Sequence, residues 1–462
     1  MSGSHTKREM LRHAIWIVAI IALSFIVRAG TACFVGGHLD DAGWFQSGSY
    51  RIFDQRAQNI IDGAEPAFLI TDPERTDLIQ YPPAFAAAVG VIYMLTGERS
   101  PDAVHSVQWK LDALLMPFLI IGITLAAFGW RPAYFAGSFA ALSPLLAFYG
   151  VTPSADAATT WVVLAAVWIL LLAVKRTSWK LALVAGMVLG AACWFRVNPL
   201  FLIVPWAATV MLFTSLSLKQ RAQLCCSLAA GTILLVAPII LRNVIVYRQF
   251  VLTGLSVGVN LWEGLGETET GRLNGFKYGD DLMLQDERIE MGRPDDVTIR
   301  LFWPDGISRD RERARRALAL IAEHPLWYAG VMLERMYWML KIAGEPGPYY
   351  GTAGINCTPQ KCLPETQNGG LISAAVTVLG SVQSVYRYLA VILAALGIAA
   401  GVIQFRHSAC ILLSVVLYYL VSSSAGHTEL RYVLPMHAVL VVFSGFALDR
   451  LIAVFRPQID DD

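Results

Sequence analysis

In a chain of 462 residues, 56% are hydrophobic and 15% charged. Ordinary soluble domains carry about 25% charged residues, so this composition identifies a polytopic membrane protein. The net charge of +1, with no basic tail, gives no basis for a nucleic-acid partner. The absence of a Walker loop, a Rossmann fingerprint and a metalloprotease histidine pair argues against a soluble nucleotide-binding domain.

The N-terminus carries Lys7, Arg8 and Arg12 ahead of an apolar run. That run continues to Ile26 and past Arg28 into further apolar sequence, which favours an uncleaved signal anchor over a cleaved signal peptide. A spanning helix needs about 20 apolar residues. Segments 12–32, 111–130, 132–150, 156–174, 180–195, 199–217, 222–245, 384–405, 408–425 and 431–449 meet or approach that requirement. Ala84 to Gly97 is short for a span, and Leu326 to Lys341 carries Glu334 and Arg335 at its middle, so it lies along the surface or lines a cavity. With the N-terminus in the cytoplasm, the inner turns hold Arg131, Lys175, Arg176, Lys180, Lys219, Arg221, Arg406, Arg450 and Arg456, the positive-inside pattern. The expectation is an all-α multi-pass protein with roughly ten spans and both termini cytoplasmic.

This register puts two large segments on the same outer face. The first, 33–110, contains a polar stretch with Asp40, Asp41, Asp54, Asp62, Asp72 and Asp77. It is interleaved with Trp44, Phe45, Tyr50, Phe53, Ile60 and Ile61 and reads as a carboxylate-bearing platform at the membrane surface. The second runs from about 246 to 370 and contains an amphipathic helix from Arg309 to Glu323, stopped by Pro325. Its Arg311, Arg313, Arg315 and Arg316 face either anionic headgroups or solvent. The chain thus divides into an N-terminal transmembrane module (1–245), an extracytoplasmic loop (246–370) and C-terminal transmembrane helices (371–462). Of seven cysteines, Cys357 and Cys362 sit in a polar Gly/Pro-rich stretch, and a short-loop disulfide is expected there if it is extracytoplasmic. No second pair completes a zinc site.

Charges in membrane segments are costly and usually functional. Here Asp112, Asp156, Arg196, Arg242, Glu429 and Arg431 collect at one set of span ends. A transporter of lipid or polysaccharide, the alternative reading, would put polar groups near the midplane. A polar cap under two large loops suits an enzyme acting on a lipid-linked substrate, with Arg forks for phosphate and a carboxylate as base.

Several segments together resemble the GT-C superfamily of membrane glycosyltransferases, in the branch of aminoarabinose transferases and protein O-mannosyltransferase-like bacterial enzymes. They are Tyr81-Pro82-Pro83 with the apolar run to Leu95-Thr96-Gly97, Ser143-Pro144 with Tyr149 and Pro153-Ser154-Ala155-Asp156, and Phe195-Arg196-Val197-Asn198-Pro199. Further on come Pro238 to Asn243, Asn260-Leu261-Trp262-Glu263-Gly264, Glu323-His324-Pro325, and Glu429 to Pro435. The resemblance implies transfer of a sugar from a polyprenyl-phosphate donor to a glycan, lipid or protein acceptor at the outer face of a bacterial inner membrane. It also implies a catalytic Asp near the start of a juxtamembrane helix. The family's Asp slot falls on Ser49, which leaves Asp41, Asp40 and Asp54 as general-base candidates in that order.

On this reading Arg242 and Arg431 are the leading phosphate ligands, with Arg196 third. Tyr81, His427, Glu429 and Trp262 complete the expected substrate-binding set. For Arg431 an ion pair with Glu429 is the plainer alternative. No metal site is assigned, although the Asp40-Asp41 pair could hold a divalent cation.

Overall fold

The computed structural model describes residues 2–37, 39, 47–341, 371–427 and 429–455. Asp40, Asp41, Cys357 and Cys362 lie outside the described residues. Among those described, helices dominate and no strand forms, only an isolated bridge between Arg300 and Trp303.

The membrane part begins with α1 (Ser2–Gly36). Two short helices of the first large loop follow, α2 (Ser47–Ile61) and α3 (Ala84–Thr96). Then come α4 (Pro101–Phe128), α5 (Trp130–Leu142), α6 (Pro144–Val151), α7 (Ala155–Lys175), α8 (Trp179–Ala192), α9 (Ile203–Phe213) and α10 (Leu218–Tyr247). Six helices of the described chain are long and apolar enough to cross a membrane, or seven if the bent pair α5–α6 counts as one span. The expected spans 180–195, 199–217 and 384–405 fall on shorter apolar helices. Ser143 bends the α5–α6 pair by 57°: Pro144 cannot continue the α5 ladder, and the Ser143 hydroxyl instead caps α6 by accepting from Leu146 N.

Small residues set the closest helix contacts. Gly186 of α8 lies against α10 so tightly that a Cβ there would sit 2.0 Å from the Leu228 carbonyl oxygen, and one at Gly231 of α10 would sit 2.1 Å from that of Leu183. Within the bundle, Arg28 and Asp112 form a fully buried ion pair at 2.6 Å. Asp112 also accepts from Trp161 Nε1 at 2.7 Å, and Arg28 donates to the Ala141 carbonyl. Every strong partner of this pair is internal, so it joins α1, α4, α5 and α7 without presenting charge to a ligand.

The second large loop folds into α11 (Val257–Gly266), α12 (Glu269–Leu273), α13 (Asp280–Glu290), α14 (Gly306–Glu323) and α15 (Pro325–Lys341). Its Val259, Trp262, Leu265, Phe276, Phe302 and Ile307 share one apolar core with Ile70, Leu78 and Ile79 of the first loop and Tyr247 of α10. α14 ends at Glu323 as the sequence predicts, and its arginines, buried or exposed, find partners within the chain. Arg313 is buried on Glu287, Arg315 and Arg316 pair with Glu312, and Arg311 holds Gln249 and the Phe250 carbonyl. Asp310 of α14 accepts from Val259 N at the start of α11, where a carboxylate opposes the exposed helix dipole. The bundle is completed by α16 (Leu371–Gln404), α17 (Arg406–Ser424) and α18 (Leu434–Phe455).

Candidate active site

At the end of the bundle where α8 stops and α18 starts, charged and aromatic side chains from six parts of the chain form a continuous series. Arg335 of α15 is fully buried and its Nη2 lies 3.0 Å from Glu267 Oε2. Glu267 Oε1 lies 2.5 Å from His427 Nδ1, and His427 Nε2 lies 3.3 Å from Glu429 Oε1. Glu429 pairs with Arg431 at 2.5 Å and accepts from the Tyr432 hydroxyl at 3.2 Å. The Tyr432 ring lies 5.4 Å from the Arg431 guanidinium and 5.9 Å from that of Arg196. Arg196 in turn is bound to Asp156 at 2.7 Å and stands 5.7 Å from the Tyr81 ring.

Local structure explains the convergence. Asp156 occupies the first turn of α7, a favourable place for a carboxylate. Arg196 follows α8, in a connection pinned by a hydrogen bond from Ala84 N to the Trp194 carbonyl. The turn bearing His427 is held by its backbone N–H on the Asn260 carbonyl. Gly264 permits that approach, because a Cβ there would come within 2.7 Å of His427 N.

Burial opposes ionisation of Glu429, yet Arg431 and His427 beside it hold its carboxyl below the usual range. Glu263, one turn before Glu267, behaves oppositely. Burial pushes it up to about 7, and it shares a hydrogen bond with Asp280, also raised, first by burial and then by Asp281.

A second group of cations adjoins this series across Tyr81. Arg56 lies on the same face of α2 as buried Tyr50, Phe53 and Ala57, and is itself only 8% exposed. It donates from Nη1 to the Tyr81 carbonyl at 3.4 Å, while its Nε and Nη2 have no partner among the described residues. Burial pulls its guanidinium below the ordinary range. The nearby carboxylates Glu65 and Asp77 are both bound by Arg75. Arg242 is 7% exposed, donates to Asn243 Oδ1 and the Phe68 carbonyl, and lies 4.9 Å from the Phe68 ring. Arg56 and Arg242 lie within electrostatic range of each other. Neither has a carboxylate within ion-pair distance among the described residues. Phe68 stacks on Trp194, two residues before Arg196, which joins the two groups.

The structure thus brings together Tyr81, Arg196, His427, Glu429 and Arg431, with Arg242 at the adjoining pair. Asp54 faces elsewhere: its Oδ1 accepts from the Tyr93 hydroxyl at 2.5 Å and from Gln58, and Tyr93 also meets Tyr50. Trp262 is buried against Phe276 in the core of the second loop. Leu39, just before Asp40, shares an apolar cluster with Val151 and Ala155. Sequence reasoning missed Arg56 and Glu267. A cation on the apolar face of α2 was the available signal for Arg56; Glu267 had none, because its partner Arg335 is 68 residues away. No three His, Cys, Asp or Glu side chains converge in metal-holding geometry among the described residues.

Residues 80–241 match the family model of dolichyl-phosphate-mannose-protein mannosyltransferases. That segment includes Tyr81, Asp156 and Arg196. No curated protein matches the chain by sequence. Among solved structures, the chain is similar to the Archaeoglobus fulgidus oligosaccharyltransferase tethered to an acceptor peptide, with 12% identity, a TM-score of 0.51, and coverage of 95% of this chain and 50% of that one. The same values hold for that oligosaccharyltransferase in complex with an inhibitory peptide and a dolichol-phosphate. The apo form matches at 13% identity and a TM-score of 0.51, covering 95% of this chain and 51% of that one. The chain therefore spans about half the length of the solved structures it matches. At this identity the likeness shows a shared fold. The fold and the match over residues 80–241 agree with the GT-C resemblance.

Proposed function

We propose that this GT-C chain transfers a sugar from a polyprenyl-phosphate donor to an acceptor at the extracytoplasmic face of a bacterial inner membrane, with both termini cytoplasmic. The observation that carries this reading is the Arg56–Arg242 pair. Two buried guanidiniums in mutual range, without carboxylate partners among the described residues, are unfavourable unless an anion joins them. A lipid phosphate supplies that anion, and its tail has apolar helices to lie against. Arg431 and Arg196 each have a carboxylate already, so they suit orientation and charge balance on the acceptor side of Tyr81.

In the proposed reaction the acceptor oxygen attacks the anomeric carbon, with inversion, as its proton passes to a carboxylate. The bond from the anomeric carbon to the phosphate oxygen breaks, and polyprenyl phosphate leaves with the electron pair. Arg56 and Arg242 stabilise its charge. Asp41 is the leading base, followed by Asp40. Asp54 ranks behind them because its carboxylate is engaged by Tyr93.

The test is release of polyprenyl phosphate by the purified protein in nanodiscs supplied with polyprenyl-phosphate sugars and a cell-envelope extract of glycans, lipids and proteins as the source of acceptor. Asp41→Asn is expected to abolish release while leaving the melting temperature unchanged. Wild-type turnover by Asp41→Asn, Asp40→Asn and Asp54→Asn alike would remove the general-base assignment.

A further inference from the structure

Beside this site lies a cleft of about 310 Å³ that the proposed reaction does not use. It is bounded by the first large loop, the end of α10 and the start of α14, and its lining includes Glu74, Tyr247, Gln249, Trp303, Asp305 and Ser308. Such a volume falls at the small end of the range for small-molecule sites, ~300–1,000 Å³. We propose that this cleft binds a sugar unit of the acceptor glycan, and that it favours one carrying a free amine. The inference rests on the glycosyltransferase reading and deepens it by naming the acceptor class.

Three features of the wall support the assignment. Trp303 and Tyr247 provide aromatic surface, and Tyr247 is fixed by its hydroxyl on the Arg75 carbonyl at 3.0 Å. Aromatic faces bind the C–H faces of pyranoses while leaving the hydroxyls free to hydrogen-bond. Gln249 accepts from Arg311 through Oε1, so its amide N–H groups remain available as donors. Glu74 and Asp305 are both exposed, and neither carboxylate has a hydrogen-bond or ion-pair partner among the described residues.

No Lys or Arg among the described residues lines the cleft, and three cations around it are already committed. Arg75 is bound to Glu65 and Asp77, Arg309 to Glu287, and Arg311 to Gln249 and the Phe250 carbonyl. The cleft therefore carries surplus negative charge, which disfavours a phosphate and favours an ammonium group. Its position also suits an acceptor. The 3-10 turn Thr76–Ile79 leads from the cleft residue Thr76 toward Tyr81, five residues on, so chain length alone keeps the two within about 18 Å. A glycan seated in the cleft would extend along that turn toward the charged series.

The experiment measures binding of a glucosamine tetramer with free amines, and of its N-acetylated counterpart, to the full chain in nanodiscs. Polyprenyl-phosphate binding is followed in the same samples. The free-amine tetramer is expected to bind at least about tenfold more tightly, and Glu74→Gln and Trp303→Ala are each expected to weaken it about tenfold. Both variants should retain wild-type polyprenyl-phosphate binding. Glu74→Gln changes an exposed side chain, so it tests the idea even if Trp303→Ala fails to fold. Equal affinity for the N-acetylated tetramer, undiminished binding in Glu74→Gln, or tighter binding of a lysine-rich peptide would overturn the proposal. Absence of glycan binding by the wild-type chain, with its lipid-phosphate binding intact, would overturn the cleft assignment alone. Absence of lipid-phosphate binding in the wild type would instead strike the transferase reading.

Discussion

Arg56 touches the carbonyl of Tyr81 with one terminal nitrogen, at 3.4 Å, and leaves its other two guanidinium nitrogens without partners among the described residues. On the opposite side, the Tyr81 ring faces Arg196, whose charge is matched by Asp156. One tyrosine therefore separates a cation with no ion pair among the described residues from a cation that has one. This asymmetry distinguishes a ligand site from a structural ion pair.

Replacing Arg56 by Met removes a buried charge that has no ion-pair partner among the described residues and keeps most of the volume. The unliganded protein is expected to gain stability or stay unchanged, since apolar replacement of buried charge is neutral or favourable by about 1–4 kcal/mol. Polyprenyl-phosphate affinity should fall by the worth of a charged hydrogen bond, about 1.5–3 kcal/mol. Thermal melting and lipid titration of the same preparation read the two effects. A parallel loss of both would indicate a structural role.

Breaking the internal series should have the opposite signature. Glu267→Gln leaves Arg335 buried without its carboxylate, an error that costs about 3–5 kcal/mol. The double change Glu267→Gln with Arg335→Met should recover part of that loss. Melting temperatures of the single and double variants check this coupling.

Glu263 predicts a pH dependence. Its folded value, about 7, lies above the ordinary 4.5, so the folded state holds a proton that the unfolded chain releases. Stability from this group is complete below about 4.5 and declines as pH rises toward 7. Glu263→Gln is expected to flatten that decline. Its neighbours Glu267, His427 and Glu429 remain in the variant, and because Asp280 shares a hydrogen bond with Glu263, the difference between the two proteins reads the titration of that pair. Identical stability–pH curves would contradict the assignment.

Helix packing gives a control pair. Gly186→Ala drives a methyl into the Leu228 carbonyl, and overpacking of this kind costs about 1–3 kcal/mol. Gly30→Ala in α1 meets nothing within 4 Å and should be neutral or slightly stabilising. Comparing the melting temperatures of the two variants tests whether α8 and α10 approach as closely as the structure has them.

Much of this architecture was legible from local pattern. Apolar runs located the helices, and Pro325 marked the end of α14. Arg335 in the middle of an apolar stretch signalled a cavity or surface position for α15, and it proves fully buried on Glu267. Charges at span ends anticipated the gathering of Arg196, Glu429 and Arg431 at one end of the bundle. Pairing across long sequence separations was not legible. Nothing near Asp54 announces that Tyr93 will engage it, and nothing near Trp262 announces that Phe276 will cover it. Arg56 was half legible: its place on the apolar face of α2 marks it, but its neighbours across the fold are not written near it. Only the packing of α2 on α3 and Tyr81 supplies them.

The most direct test is binding of polyprenyl phosphate, the product common to every sugar donor, to the wild-type chain and to the double variant Arg56→Met/Arg242→Met in nanodiscs. Saturable binding by the wild type, reduced at least about a hundredfold in a double variant that melts at or above the wild-type temperature, is the expected result. Wild-type affinity in the double variant, or no saturable binding by the wild-type chain, would contradict the assignment of this site to a lipid-linked phosphate.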